Sequence, residues 1–275
     1  MPKPDPETHL LVAALAGRGI ATQVTTWDAD LDWAAFPLVL LRSPWDYFER
    51  LNEFLAWAKG VAARTRLLNP YPVIDWNCHK RYLKELADNG LPVVPTLWLD
   101  HGSTAGAARL AGLSWEQLVI KPAVSIGAIN TLRGARSDRA GRAHIDTLLA
   151  SGDVMVQPFL PGIASEGEIS LIFFGGEFSH AIRKLPRPGD YRVQDMYGGT
   201  VHAHIPTGEE IGLATRALSL TPLPTTYARV DLVRHEDQLL IMELELIEPE
   251  LFLPAAPGAA SRYAAALDAQ LAVCS

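Results

Sequence analysis

Two apolar runs near the C-terminus, Tyr227-Ala-Arg-Val-Asp231-Leu-Val and Ile241-Met-Glu243-Leu-Glu245-Leu-Ile, constrain this chain more than any other feature. Polar His235-Glu236-Asp237-Gln238 separates them, so they predict a β-hairpin of strands over residues 227–233 and 239–246. Side chains two apart on a strand share a face, which puts Glu243 and Glu245 together and turns Leu244 and Leu246 toward the core. The turn sets Asp231 opposite Met242 or Glu243, so three carboxylates converge on one patch of sheet. Clustered carboxylates repel unless a cation lies between them, and Mg²⁺ takes oxygen ligands of this kind while sharing them with phosphate. The plainer reading is a solvated acidic strand face, which strand composition disfavours.

The rest of the chain supplies a body for that hairpin. Apolar runs at residues 93–99, 118–121 and 154–157 read as strands, with helices near 104–111 and 139–150 between them. Residues 169–174 and 177–183 flank Gly175-Gly176, a two-residue hairpin signal. The first third has a different rhythm. Asp5 as N-cap and Pro6 at N1 open a helix with Leu10, Leu11, Ala14 and Leu15 on one face. A short strand at 22–26, a buried strand at 37–41 and a helix striped by Leu51, Phe54, Leu55, Ala58 and Val61 follow. This is a small parallel α/β unit. Such a unit usually opens with a strand, so the expectation is that its first strand is missing or that the start lies upstream of Met1. Proline and turn residues at 70–76 mark a boundary, and a helix over about 77–89 is stopped by Gly90. The fold class is therefore α/β plus α+β.

Several cations accompany the carboxylates. Lys121 ends the strand Val119-Ile120-Lys121-Pro122, before a loop of small residues that includes Ser125 and Gly127 and lets backbone N–H groups approach an anion. No Gly-Lys-Ser/Thr follows, so this is not a Walker A loop. Lys80 stands early in the helix after the boundary. Arg183, Lys184, Arg187 and Arg192, interrupted by Pro186 and Pro188, read either as an ordered basic loop able to clamp an anion or as a solvated charged loop. These positive charges are local, because the chain carries a net charge of −7. That balance argues against nucleic-acid binding. Cys78 and Cys274 are too few for a disulfide framework or a four-cysteine zinc site. No apolar run is long enough to span a membrane, and the N-terminus lacks a signal-peptide core, so a soluble cytoplasmic protein is expected. His202 and His204 alternate on an expected strand without a third zinc ligand. Trp27, Trp33, Trp45 and Trp76 are read as packing residues. Trp45 and Asp46 follow the end of a buried strand, where α/β clefts take substrate.

Taken in order, these pieces resemble the ATP-grasp superfamily, especially the bacterial glutathione-synthetase type, over about residues 70–249. The resemblance implies a substrate-side domain at 1–72 and an ATP-grasp body at 73–275, with a small ATP-binding lobe at about 93–157. It implies that Lys80 and Lys121 bind the ATP phosphates and that Ser125 and Gly127 lie in the loop covering them. Gln157-Pro158-Phe159-Leu160-Pro161 is similar to the family's interlobe hinge, so Gln157 and the backbone at Phe159 and Leu160 would meet adenine. Glu168, in preference to Glu166, would reach the ribose. Lys184 and Arg192 match basic positions of the substrate loop and would be catalytic. Asp231, Glu243 and Glu245 match the metal ligands, implying two Mg²⁺, with Mn²⁺ as a substitute. Ile169-Ser170 stands where the type carries a basic pair, and Glu248-Pro249-Glu250 where it has a small turn. With Arg42-Ser43-Pro44-Trp45-Asp46-Tyr47 and Gly198-Gly199-Thr200, these departures look more like the branch of the ligase that closes cycloserine's ring.

The resemblance implies an ATP-dependent ligase that forms an acyl phosphate from a small, amino-acid-like acid and passes it to an amine or thiol, releasing ADP and phosphate. Its partners would be small carboxylate and amine substrates, with a homodimer left open. A glycosidase with paired carboxylates fits poorly, because Glu243 and Glu245 lie side by side instead of flanking a bond. A non-catalytic or degenerate ATP-binding module of the same fold would not need all three metal ligands.

Overall fold

The computed structural model describes residues 5–104 and 106–272. Its eleven strands form three sheets. β1 (Leu38–Leu40) and β2 (Arg66–Leu68) make a parallel pair. β3 (Leu97–Leu99), β4 (Gln117–Pro122), β5 (Leu132–Ala135) and β6 (Val154–Pro158) form an antiparallel sheet in the order β3-β6-β4-β5. β7 (Glu168–Phe174), β8 (Glu177–Leu185), β9 (Thr200–His204), β10 (Tyr227–His235) and β11 (Gln238–Glu245) form the largest sheet, in the order β11-β10-β7-β8-β9. Both expected hairpins form, β7–β8 around Gly175-Gly176 and β10–β11 around Glu236-Asp237. The two glycines have φ of 60° and 84°, the left-handed values that a primed turn demands.

The five-stranded sheet has two unlike faces. Ile169, Leu171 and Phe173 of β7 and Val230 and Leu232 of β10 pack against Leu213, Ala214 and Ala217 of the helix Gly208–Leu218. On the opposite face, Ile172, Phe174 and Tyr227 pack under Tyr263, Ala264 and Leu267 of the helix Ala259–Ala272, which covers only one end. Farther along the strands that face turns polar, with Glu168, Ser170, Arg229 and Asp231. A bulge in β11 aligns its carboxylates with them. Asp231 pairs with Glu243 but Leu232 pairs with Ile241, leaving Met242 extra. Leu239 and Ile241 before the bulge and Leu244 and Leu246 after it therefore all reach the same core, and Glu243 and Glu245 fall on the polar face.

β11 is an edge strand, yet its outer backbone is paired. Ile241 N–H donates to Pro92 O (2.8 Å) and its carbonyl accepts from Val94 N–H (3.1 Å). The Tyr82 hydroxyl both donates to Leu244 O and accepts from Leu244 N–H, each at 2.9 Å. Asn77 accepts from Leu246 N–H (2.9 Å) and donates to Leu244 O (3.0 Å). Asn69 donates to Leu246 O (2.8 Å).

Several expectations are corrected. Residues 22–26 are not a strand but exposed coil, because β1 and β2 leave no third neighbour to satisfy their backbone. The first helix is Thr8–Ala16, with Glu7 and not Asp5 at its N-cap. Asp5 instead accepts from Glu7 N–H (2.8 Å) and ties to Arg42 (3.0 Å). The proline and turn residues at 70–76 form the helix Tyr71–Asn77, which tolerates Pro72 in its first turn. The helix expected from about 77 begins at Tyr82, because Lys80 N–H leaves the helical pattern to bond Ala123 O (2.9 Å). Gly90 ends it as expected, at φ 80°. Only the last part of 93–99 is strand, and the helix near 104–111 is Gly106–Ala111. β5 was not foreseen. Arg183 and Lys184 belong to β8, not to the basic loop, which starts after Leu185.

Candidate active site

The polar end of the sheet gathers a lattice of alternating charges. Arg229 and Asp231 are two apart on β10 and share a face, with Nε to Oδ1 at 2.9 Å and Nη2 to Oδ2 at 2.9 Å. Glu245 lies directly across from Arg229 and accepts from its Nη2. Lys184, across β7 on β8, contacts Asp231 at 3.3 Å and pairs with Glu168, its register partner. Ser170 donates to Asp231 Oδ1 (2.6 Å). Glu243 pairs with Lys80 (2.7 Å), which also donates to Ser125 O (2.7 Å) and so anchors the small-residue loop. Gly127, Ala128 and Asn130 in that loop have φ of 56°, 64° and 55°.

Burial makes these charges interdependent. Burial opposes ionisation of Asp231, but Arg229 and then Lys184 outweigh it and hold its pKa below the usual range. Glu245 and Glu168 go the other way. Burial raises both, against Arg229 for Glu245 and against Lys184 for Glu168, and neighbouring carboxylates add to the rise. Glu248, beyond the end of β11, is raised by burial and by Glu245. Burial lowers Lys121, against the pull of Glu243, and Lys80 lowers it further. Half-buried Lys121 has no hydrogen-bond or ion-pair partner among the described residues, so its ammonium is open to an anion.

Lys80, Lys121, Lys184, Glu168, Asp231, Glu243 and Glu245 are thus brought to one patch, with Ser125 and Gly127 in the loop beside it. Gln157, buried on β6, donates to Thr96 Oγ1 (2.9 Å). Phe159 N–H is taken by Gln117 O (2.9 Å), leaving Phe159 C=O and Leu160 N–H as the edge with no backbone partner among the described residues. Glu168 is committed to Lys184, whereas Glu166 is exposed at the end of the helix Gly162–Ser165 beside that edge. Arg192 stays in its own loop, paired with Asp190 (2.8 Å) and 3.8 Å from the Tyr197 ring centre. His202 and His204 lie on β9, and His204 bonds Glu210 (3.0 Å). Trp27 packs on Phe54 in the N-terminal core, while Trp45 Nε1 donates to Glu248 O (3.0 Å).

Among the described residues no three metal-ligating side chains are grouped as a ready metal site. Each expected ligand is instead held by a protein cation. The donor set is nevertheless all oxygen, and burial raises Glu245 and Glu168 even with their cations in place. It therefore fits a hard divalent ion that would displace Lys80 from Glu243 and Arg229 from Glu245. Arg229 was missed in the sequence although the same alternation that selects Asp231 selects it. Glu248 and the Phe252 ring, 5.7 Å from the Arg229 guanidinium and 5.9 Å from Lys184 Nζ, carried no local signal.

Residues 1–69 match the family described as D-cycloserine synthetase DcsG, N-terminal domain, and residues 111–222 match the prokaryotic glutathione synthetase ATP-grasp domain. The cycloserine biosynthesis protein DcsG of Streptomyces lavendulae is 37% identical over 286 residues, covering 95% of this chain and 92% of that protein. The crystal structure of D-cycloserine synthetase DcsG superposes with a TM-score of 0.88 at 35% identity, over 97% of this chain and 95% of the other. D-alanine–D-alanine ligase from Bacillus anthracis shares the fold, with a TM-score of 0.69 at 17% identity over 97% and 90% of the two chains. No helix among the described residues is long and apolar enough to cross a membrane.

Proposed function

This chain belongs to the ATP-grasp ligases, ATP-dependent enzymes that join carbon to nitrogen, in the branch of D-cycloserine synthetase; from that premise we propose how its site works. A carboxylate oxygen of a small, amino-acid-like substrate attacks the ATP γ-phosphorus, the bond to ADP breaks, and an acyl phosphate forms. An amine nitrogen then attacks the acyl carbon, the bond to phosphate breaks, and the amine gives up a proton. The match of residues 1–69 to the cycloserine-synthetase N-terminal domain supports an amine within the same molecule, so that the product is a ring.

The observation that carries this reading is the convergence of Lys80, Lys121, Lys184 and Arg229 with Asp231, Glu243 and Glu245 on one end of one sheet face, with Lys121 lacking an anion. ATP would lie between the four-stranded and five-stranded sheets, with adenine at the Phe159–Leu160 edge and Glu166 or Glu168 toward the ribose. Lys80 and Lys121 would hold the phosphates under the loop of Ser125 and Gly127. Asp231, Glu243 and Glu245 would hold Mg²⁺, which neutralises charge on phosphate oxygens. With those carboxylates engaged, Arg229 would be free to meet the transferring phosphoryl group, and Lys184, still paired with Glu168, would add fixed positive charge beside it. Arg192 would close on the substrate carboxylate from its loop.

The test is calorimetric ATP binding, with and without Mg²⁺, for wild type and Glu243→Ala. Magnesium-dependent binding weakened by the substitution supports the site. Binding indifferent to both magnesium and Glu243 refutes it.

A further inference from the structure

Glu248 is 9% exposed, and its carboxylate has no hydrogen-bond or ion-pair partner among the described residues. Its electrostatic neighbours are Glu245, Lys80, Glu243 and Arg229. Both cations are already committed. Lys80 holds Glu243 and Ser125 O, each at 2.7 Å. Arg229 holds Asp231, Glu245 and, at 3.2 Å, Glu250 O. Both cations ease the charge on Glu248 without bonding it, and with Mg²⁺ and ATP bound they would turn to the phosphates.

Nor can Glu248 easily turn away. The segment that carries it is fastened by side chains from distant parts of the chain. Trp45 Nε1 donates to Glu248 O (3.0 Å) and Arg42 to Pro249 O (3.4 Å). Glu7 accepts from Leu251 N–H (2.8 Å) and Leu253 N–H (2.5 Å), and His180 bonds Leu251 O (2.9 Å). Trp45 also fixes where this segment lies, because it follows the C-terminal end of β1, the side on which α/β units open their clefts. The unpaired carboxylate therefore stands between that cleft and the strand bearing Glu243 and Glu245.

The Glu248 oxygens are not among the fully enclosed atoms that lack a partner, so this carboxylate is open to a cation arriving in the cleft. ATP and the substrate carboxylate are anions and cannot serve. The divalent ion has its own ligands in Asp231, Glu243 and Glu245. We propose that Glu248 binds the ammonium group of the substrate and is a specificity-determining residue of this enzyme, selecting amino acids over acids without a charged amine. The proposal rests on the ligase reading above, and its test separates the two.

Magnesium-dependent ATP binding and its loss in Glu243→Ala are measured first, and their absence refutes the ligase reading itself. With the nucleotide site filled by Mg²⁺ and a non-hydrolysable ATP analogue, small α-amino acids of both hands and α-hydroxy acids of the same skeletons are titrated by calorimetry. The expected result is that the best amino acid binds wild type at least about tenfold tighter than its hydroxy counterpart. Glu248→Gln should bring that ratio near one, Glu248→Asp should recover part of it, and both should keep wild-type affinity for the magnesium–nucleotide pair. A selectivity unchanged in Glu248→Gln, or no amino acid binding better than its hydroxy counterpart, overturns the proposal. So does a loss of magnesium–nucleotide affinity in Glu248→Gln, which would place the residue with the metal.

Discussion

The Tyr82 hydroxyl is the smallest group whose removal should be felt at the carboxylates. It is buried, and it donates to Leu244 O and accepts from Leu244 N–H at 2.9 Å each. Tyr82→Phe keeps the ring and its packing, so no large cavity opens and the change isolates the two hydrogen bonds. Asn77 still reaches Leu244 O at 3.0 Å, so the carbonyl keeps one partner while the N–H keeps none. Losing the bond to Leu244 O at about 1 kcal/mol and stranding the buried Leu244 N–H at about 1–3 kcal/mol amount to a destabilisation of about 2–4 kcal/mol. Urea unfolding followed by tryptophan fluorescence would read it as a lower midpoint at unchanged slope. Tyr71→Phe is the control, since that hydroxyl meets only Asp75, at 3.2 Å, on the surface, and should cost less than about 0.5 kcal/mol. Because Leu244 separates Glu243 from Glu245, the variant should also weaken magnesium-dependent ATP binding, and its Leu244 amide should exchange faster with deuterium. Equal midpoints for the two variants, with the Leu244 amide still protected, would refute the reasoning.

Three further perturbations bear on the same scaffold. Lys184→Met strands Glu168 as a buried carboxylate without its cation and leaves Asp231 with Arg229 alone, so it should destabilise by about 3–5 kcal/mol in urea unfolding and abolish ADP release. At Gly167, φ is 81° and a Cβ would lie 2.2 Å from Lys184 O; Gly167→Ala should cost about 2 kcal/mol or more and displace Glu168, read by thermal unfolding and by ADP release. Burial opposes ionisation of Asp5, but Arg42 and Ser43 hold its pKa below the ordinary aspartate value. The stability it contributes is therefore fully present above the unfolded pKa and is lost as pH falls through the folded one. Asp5→Asn should thus destabilise at neutral pH, with the difference from wild type shrinking on acidification below about pH 4, as urea midpoints across pH would show.

What could be read from the sequence followed from local periodicity. Alternation by two placed Glu243 and Glu245 on one face, and Gly175-Gly176 placed the β7–β8 turn, because both signals act within a few residues. The same rule points at Arg229, which was legible and passed over. The Met242 bulge was not legible, since it depends on which residues of β10 and β11 finally pair. Residues 22–26 have strand composition, but composition cannot supply a neighbouring strand. Pro70 and Pro72 suggested a break where they start a helix, and Lys80 holds off the next helix until Tyr82 through a bond to Ala123, far along the chain. Glu248 owes its position to Trp45, Arg42, Glu7 and His180, and no window of sequence contains them together.

The fastening of β11 also decides how the protein can associate. An edge strand with free donors and acceptors is a template on which another chain can add a strand. Here Pro92, Val94, Tyr82, Asn77 and Asn69 already occupy the outer side of β11. β9, at the other edge, is largely exposed and has only β8 as a neighbour among the described residues. The sheet is therefore polar in its capacity for growth: a foreign strand finds open backbone beside the histidines of β9 and a closed border beside the glutamates of β11.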